Sequence, residues 1–301
     1  MLLLFVFGCI GLDLVLPVAG RPGWWMLPVY LVMVLGTVRE MSQLLANRWP
    51  VEPIRVMMAG AVASLLPVVP LLYETVGNCE VPANCPVGGF GWIVIGQCVA
   101  VIGLGIGAMR RFSTVGLEES NPERMASIAL GWLLSFGVVA YVVTPMSAWW
   151  LIRQHGGNAL GIINLIGLVL VTKMADTGAY FSGKMFGKHK LSPAISPGKT
   201  VEGLIGGAIV SALAAVLYFR GFAPAFGVQG MGGTWWGPMV LCLLLTVGGV
   251  VGDLLESMIK RSVGQKDSGH QLPGLGGIWD VTDSLIPAAV IGYLGVLAGL
   301  N

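Results

Sequence analysis

The chain has 301 residues, of which 55% are hydrophobic and only 11% are charged, and its mean hydropathy is +0.81. Soluble domains carry roughly 25% charged residues, so this composition excludes a water-soluble fold, which would lack the polar surface to cover itself. The net charge of +2 and the lack of a basic run give no support to nucleic acid as a partner.

Apolar runs long enough to cross a bilayer recur along the whole chain. A membrane-spanning helix needs about 20 apolar residues, and the chain holds about nine such runs between charged or Pro- and Gly-rich breaks. We therefore predict an all-α fold, a polytopic helical membrane protein with about nine transmembrane helices. The predicted spans are residues 2–19, 24–38, 55–73, 88–109, 125–143, 158–175, 202–219, 236–252 and 284–300.

The basic residues divide unevenly between the two sides of this nine-span arrangement. Fourteen of the 17 Lys and Arg residues fall on one side, and the other side receives only Arg21, Arg153 and Arg220. Cytoplasmic loops of membrane proteins carry an excess of Lys and Arg. The pattern therefore predicts a cytoplasmic N-terminus and an external C-terminus.

An outer loop, 73–87, contains Cys79 and Cys85 with two acidic residues and no basic ones. Two cysteines in a short loop on the oxidising side of a membrane indicate a disulfide. The alternative is a pair of free thiols in that loop. We predict the bridge.

The first of two charged segments on the cytoplasmic side runs from Lys173 to Gly203. Its Asp176 follows directly on an apolar span, and an ionisable residue at such a position is a functional candidate. Its stretch GKMFGKHKLSPAISPGKT interleaves Gly, hydroxyl residues and Lys, which suits phosphate binding. The alternative is a basic loop resting on anionic lipid. The phosphate-binding candidates are Asp176, Lys184, Ser196, Lys199 and Thr200.

The second segment runs from Gly252 to Ser284. A helix continuing through it would present Asp253, Glu256, Ser257 and Lys260 on one face. Asp280 and Asp283 are spaced to share a face of the last span. Three carboxylates at the ends of two apolar helices repel one another unless a cation lies between them, and oxygen ligands near phosphates favour Mg²⁺. The predicted metal ligands are Asp253, Asp280 and Asp283; the alternative is interfacial carboxylates paired with Lys260, Arg261 and Lys266.

Both segments resemble blocks of the phosphatidate cytidylyltransferase (CDP-diacylglycerol synthase) family. The first matches from Asp176 to Gly203. Earlier in the chain the resemblance rests on hydropathy and on Arg39-Glu40 after an early span. The matching residues of the second segment are, in order, Ser257, Lys260-Arg261, Lys266-Asp267, Pro273-Gly274-Leu275-Gly276-Gly277, Asp280 and Asp283.

The resemblance implies transfer of the cytidylyl group of CTP to phosphatidate, which gives CDP-diacylglycerol and pyrophosphate for phospholipid synthesis. It implies a multi-pass protein of the cytoplasmic (inner) membrane, in contact with membrane lipids, with its active site facing the cytoplasm. It further implies Mg²⁺, allows a second cation such as K⁺, and suggests a homodimer. Residues 1–157 would then form an N-terminal transmembrane region and residues 158–301 the catalytic region. The catalytic residues implied are Lys260, Arg261, Lys266, Asp280 and Asp283.

The chain departs from the family pattern at two positions. Leu275 stands where the family turn usually has His, and Val281 stands where Arg usually follows the first aspartate of the closing pair. The acceptor lipid also stays open, because an isoprenoid or ether-lipid phosphate would meet similar apolar helix faces. A transporter is a further alternative, although the chain shows no internal repeat and its key charges cluster at one side of the membrane.

Overall fold

The computed structural model describes residues 2–18, 21–77, 87–114, 122–226, 236–265, 268–269 and 276–300. In these residues the chain forms α-helices joined by short turns, with one two-stranded hairpin between the seventh and eighth helices. The helices are α1 (Leu2–Val15), α2 (Leu27–Ala46), α3 (Pro53–Leu65), α4 (Val69–Gly77), α5 (Gly88–Thr114), α6 (Pro122–Gln154), α7 (Gly157–Phe186), α8 (Val201–Val216), α9 (Gly237–Ser262), α10 (Ile278–Thr282) and α11 (Leu285–Leu297).

Eight helical segments of the described residues are long and apolar enough to cross a membrane. The chain is thus an all-α polytopic membrane protein, as predicted, and these segments correspond to the last eight of the predicted spans. Each segment combines helices and the short turns that continue them. The segments are Trp24–Ala46, Pro53–Val76, Gly88–Ser113, Pro122–Gln154, Ala159–Phe186, Val201–Phe226, Gly237–Ser262 and Ile278–Leu297.

The first predicted span, residues 2–19, is shorter than expected because α1 ends at Val15 after 14 residues. Its carboxylate Asp13 is fully buried. Asp13 Oδ1 accepts hydrogen bonds from the backbone N–H groups of Gly23, at 2.8 Å, and Trp25, at 3.3 Å. These bonds hold the chain after α1 against the end of the helix.

Charged side chains gather at the two ends of the helical bundle. At one end Asp13 forms a buried ion pair with Arg153, the last basic residue of α6. Near the other end of α6, Glu52 pairs with Arg55, at 2.6 Å, and with Arg111, at 2.5 Å. Arg153 thus lies at the opposite end of the bundle from Arg55 and Arg111, as the predicted division requires of these three residues. Which end faces the cytoplasm stays a prediction.

The hairpin is built from β1 (Lys190–Ser192) and β2 (Ser196–Thr200), which pair antiparallel. Its second strand runs directly into α8, because the Thr200 hydroxyl accepts the N–H of Gly203 at 3.1 Å and so caps the helix. Helix α8 in turn lies against α7 at very short range: a Cβ on Gly207 would lie 2.7 Å from the carbonyl oxygen of Ala175. This close packing places the hairpin beside the end of α7.

Candidate functional site

A cavity of about 400 Å³ lies between α7, the hairpin, α8 and α9. It is the place where the two charged segments of the sequence meet. All five phosphate-binding candidates line it, together with one carboxylate of the second segment. These residues are Asp176, Lys184, Ser196, Lys199, Thr200 and Asp253.

An ion pair crosses the wall of this cavity. Lys199 Nζ on β2 lies 2.7 Å from Asp253 Oδ2 on α9, and both side chains are about one quarter exposed. Lys184 lies farther out, exposed to solvent, with its ammonium group 5.9 Å from the ring centroid of Tyr180. Lys199 is therefore the cavity lysine whose charge is closest to the carboxylates of α9.

A second ion-pair cluster joins α9 to α10. Lys260 Nζ lies 3.0 Å from Glu256 Oε1, one turn earlier on α9, and 2.8 Å from Asp280 Oδ1. The predicted helix face of Asp253, Glu256 and Lys260 is thus present in the structure. Because the Lys260 and Asp280 side chains are only 12% and 16% exposed, this pair is largely shielded from water.

Asp280 is also bound by the loop that precedes it. Its Oδ2 accepts the N–H of Gly277 at 2.6 Å. The neighbouring Gly276 has a φ of +83°, and a Cβ there would lie 2.3 Å from Asp280 Oδ2. A glycine is required at this position both for the backbone angle and for the space.

The three predicted metal ligands lie along one row of interacting carboxyl groups. Asp253 interacts with Asp283, Asp283 with Glu256, and Glu256 with Asp280. Asp280 Oδ1 also lies 2.8 Å from Lys260 Nζ. Within the described ranges no group of three or more Asp, Glu, His or Cys side chains has the arrangement of a metal site.

Lys173 at the start of the first segment links α7 to the final helices, although the sequence did not mark it as a site residue. Its ammonium group lies 2.9 Å from the carbonyl oxygen of Val281, 2.8 Å from Ser284 Oγ and 3.4 Å from Asp176 Oδ2. Ser284 Oγ also donates to Asp176 Oδ2 at 3.0 Å. Lys173 therefore brings a positive charge to the backbone of Val281, one of the two residues that depart from the family pattern.

Tyr141 on α6 is a second residue that sequence reasoning missed. Its hydroxyl is buried and has no hydrogen-bond partner among the described residues. The hydroxyl is close enough to Asp283, Glu256 and Asp253 to interact with their charges. A tyrosine inside an apolar span carries no sequence signal for this proximity, which depends on how α6 packs against α11.

Several predicted residues fall at or beyond the edge of what the structure describes. Arg261 is exposed at the end of α9. Lys266 and Leu275 lie outside the described residues, and so do Cys79 and Cys85, so the predicted disulfide stays a prediction.

The chain resembles known proteins in sequence. A model of the cytidylyltransferase family matches residues 3–297. Over 140 residues the chain is 41% identical to the phosphatidate cytidylyltransferase of Brucella suis biovar 1 (strain 1330), a region covering 46% of this chain and 49% of the relative. Over 128 residues it is 44% identical to the phosphatidate cytidylyltransferase of Staphylococcus aureus (strain COL), covering 42% and 46%. The chain thus spans about half the length of the curated relatives it matches.

Proposed function

We propose that this chain, which belongs to the cytidylyltransferase family, transfers the cytidylyl group of CTP to phosphatidate and releases pyrophosphate. The observation that carries the proposal is the cavity where Lys199 and its hairpin hydroxyls meet Asp253. An ammonium group and hydroxyls facing carboxylates suit a polyanionic substrate that brings its own cation. The names of the relatives from Brucella and Staphylococcus support the same reaction.

In this reaction an oxygen of the phosphatidate phosphate forms a bond to the α-phosphorus of CTP, and the bond from that phosphorus to the β-phosphate bridging oxygen breaks. The attacking oxygen is already an anion, so no general base is needed. The barrier comes from bringing two polyanions together. Lys199 and the Ser196 and Thr200 hydroxyls would hold phosphate oxygens in the cavity. The Thr200 oxygen accepts the Gly203 N–H, which leaves its own O–H free to donate.

The residues present fit a magnesium ion. Mg²⁺ in proteins is commonly held by one or two carboxylates together with substrate phosphates, and Asp253 with Asp283 offers two carboxylates in contact. When bound, the ion would neutralise phosphate charge. Asp280, bound by Lys260 and by the Gly277 N–H, would act by fixing the turn that leads to Asp283. A second cation such as K⁺ stays a prediction.

We also propose that the site faces the cytoplasm, in the inner membrane. The excess of Lys and Arg at the end of the bundle that carries both charged segments supports this orientation. The homodimer and the division of the chain at residues 157 and 158 stay predictions.

Turnover by the purified protein tests the proposed function. Protein in mixed micelles receives CTP, Mg²⁺ and phosphatidate, and both CDP-diacylglycerol and pyrophosphate are measured by mass spectrometry and a coupled assay. Parallel reactions replace phosphatidate with an ether-lipid phosphate or an isoprenoid phosphate, and Asp283→Ala serves as the inactive control. Formation of CDP-diacylglycerol that the control lacks supports the proposal. Turnover with another lipid phosphate alone would change the acceptor, and no pyrophosphate release in any reaction would favour a transporter.

A further inference from the structure

We infer that Glu40 is a positioning residue, whose carboxylate fixes the first turn of α10 and so sets where Asp280 and Asp283 lie. The inference rests on the proposed function for its kinetic and metal-binding consequences. Glu40 lies on α2, far from the site in sequence, and its side chain is 2% exposed. Burial of a carboxylate to this degree at the end of a transmembrane helix costs free energy, so its oxygens need hydrogen-bond donors.

Three hydrogen bonds join this carboxylate to the segment that begins α10. Glu40 Oε1 accepts the N–H of Ile278 at 2.9 Å, and Oε2 accepts the N–H of Trp279 at 2.8 Å. The Ser268 hydroxyl donates to Oε2 at 3.2 Å. The first N–H groups of a helix have no acceptor within their own helix. Glu40 supplies that acceptor from another helix.

The fit around the carboxylate is close. A Cβ on Gly277 would lie 2.3 Å from Glu40 Oε2, so the backbone approaches the carboxylate directly. One turn earlier on α2, the Thr37 hydroxyl lies 2.7 Å from the hydroxyl of Thr282 at the end of α10. Helix α2 therefore contacts both ends of α10, and Asp280 lies between the two contacts.

The charge of Glu40 is balanced by these donors. No ion pair among the described residues includes Glu40, in contrast to Asp280, which is paired with Lys260. Loss of the carboxylate would leave two backbone N–H groups of a buried turn without an acceptor. This loss would first displace the turn that carries Asp280 and leads to Asp283. Only afterwards would it change the packing of α2.

Glu40→Gln tests this role because it keeps the size of the side chain and removes one acceptor oxygen. The matched control is Ser42→Ala: Ser42 is fully buried on the same helix, but its hydroxyl donates to the Arg39 carbonyl oxygen and does not reach α10. Wild type and variants are compared by amide hydrogen exchange, by Mn²⁺ binding followed by electron paramagnetic resonance, and by kcat and KM for CTP.

We expect Glu40→Gln to speed the exchange of the Ile278 and Trp279 amides at least tenfold. Its Kd for Mn²⁺ should rise about tenfold, the size typical of losing an outer-shell partner of a metal site. The kcat should fall at least tenfold while KM for CTP stays within twofold. Ser42→Ala should match wild type within twofold in all of these measurements.

A folded Glu40→Gln variant with wild-type Mn²⁺ affinity and wild-type kcat would overturn the inference. If that variant is not recovered folded, Ser268→Ala removes one of the three hydrogen bonds with less damage, and the Ile278 and Trp279 amides should still exchange faster in it than in Ser42→Ala. Wild-type exchange of both amides in Ser268→Ala contradicts the positioning role. Absence of turnover in wild type would refute the proposed function alone, because amide exchange judges Glu40 without it.

Discussion

Lys199 Nζ lies 2.7 Å from Asp253 Oδ2, so an ion pair connects the hairpin after α7 with the middle of the site on α9. The pair joins the glycine-containing strand β2 to the transmembrane helix α9. It also brings a positive charge to the wall of the cavity, beside the carboxylates proposed to hold a cation.

Replacement of Lys199 by Met should lower turnover much more than it lowers stability. The ammonium group would bind a phosphate oxygen, and loss of such a charge-assisted contact costs about 100-fold or more in rate. The ion pair itself is partly exposed, so its removal should cost at most about 1 kcal/mol of unfolding free energy. Steady-state kinetics and thermal unfolding in detergent measure the two effects.

The control for this prediction is Lys190→Met. Lys190 lies on the same hairpin, paired in register with Thr200, but it is exposed and does not line the cavity. Equal loss of turnover in both variants would show that general charge on the hairpin matters, not the contact of Lys199.

Lys260→Met should destabilise the protein more than Asp280→Asn does. Without Lys260, the buried carboxylates Glu256 and Asp280 both lose their cation, and an uncompensated buried charge costs about 3–5 kcal/mol. Asp280→Asn leaves the 3.0 Å pair between Lys260 and Glu256 in place, so we expect a loss of about 1–3 kcal/mol. Thermal unfolding of the two variants in the same detergent gives the order, and the reverse order would contradict this account of the cluster.

Asp283→Asn should raise the Mg²⁺ concentration that turnover requires. If Asp283 and Asp253 hold the ion, the Mg²⁺ concentration at half-maximal rate should rise at least about tenfold. Initial rates over a Mg²⁺ titration, after treatment with a chelator, measure this. Glu123→Gln on the exposed first turn of α6 is the control and should leave the titration unchanged. A wild-type Mg²⁺ titration in Asp283→Asn would remove this residue from the metal site.

The sequence was sufficient for eight of the nine predicted spans and for contacts within one helix. A bilayer forces every spanning helix to be long and apolar, and helical spacing alone brings Glu256 and Lys260 together on α9. The same spacing places Asp280 and Asp283 close together, but it does not say which helix meets each carboxylate. The pair of Asp280 with Lys260 agrees with the alternative of carboxylates paired with lysine, and the three-aspartate metal site stays a prediction.

Contacts between distant parts of the chain could not be predicted, for a different reason. Glu40 and Ile278 are 238 positions apart, and Lys173 and Val281 are 108 apart. These pairs depend on which helices pack against each other. Because the apolar faces of transmembrane helices have similar compositions, one sequence does not show which faces meet. Lys173 had a weak signal, because it opens a charged segment at the end of a span.

Tyr141→Phe should lower turnover without loss of stability. The hydroxyl has no partner among the described residues, so its removal should leave the unfolding free energy unchanged or raise it by about 1 kcal/mol. Its position near Asp283 suits donation to an oxygen of the bound substrate, and loss of that donor should lower kcat about tenfold.

Tyr218→Phe is the matched control for Tyr141. The Tyr218 hydroxyl donates to the Ile163 carbonyl oxygen at 3.0 Å and lies away from the carboxylates. Its loss should therefore cost about 1 kcal/mol of stability and leave kcat unchanged. Unaltered kcat in Tyr141→Phe would show that the buried hydroxyl has no part in the reaction.

Gly252→Ala should separate the two carboxylates proposed to hold the cation. A Cβ at Gly252 would lie 2.2 Å from the carbonyl oxygen of Asp283, so α9 and the residues just before α11 would have to move apart. Overpacking of this kind costs about 1–3 kcal/mol of unfolding free energy. Because Asp253 follows Gly252 directly, turnover and Mn²⁺ affinity should fall as well. Gly249→Ala on the same helix is the control, since its Cβ would meet atoms no closer than 3.6 Å. Equal effects of the two substitutions would mean that glycine content of α9, and not the approach to Asp283, sets the geometry of the site.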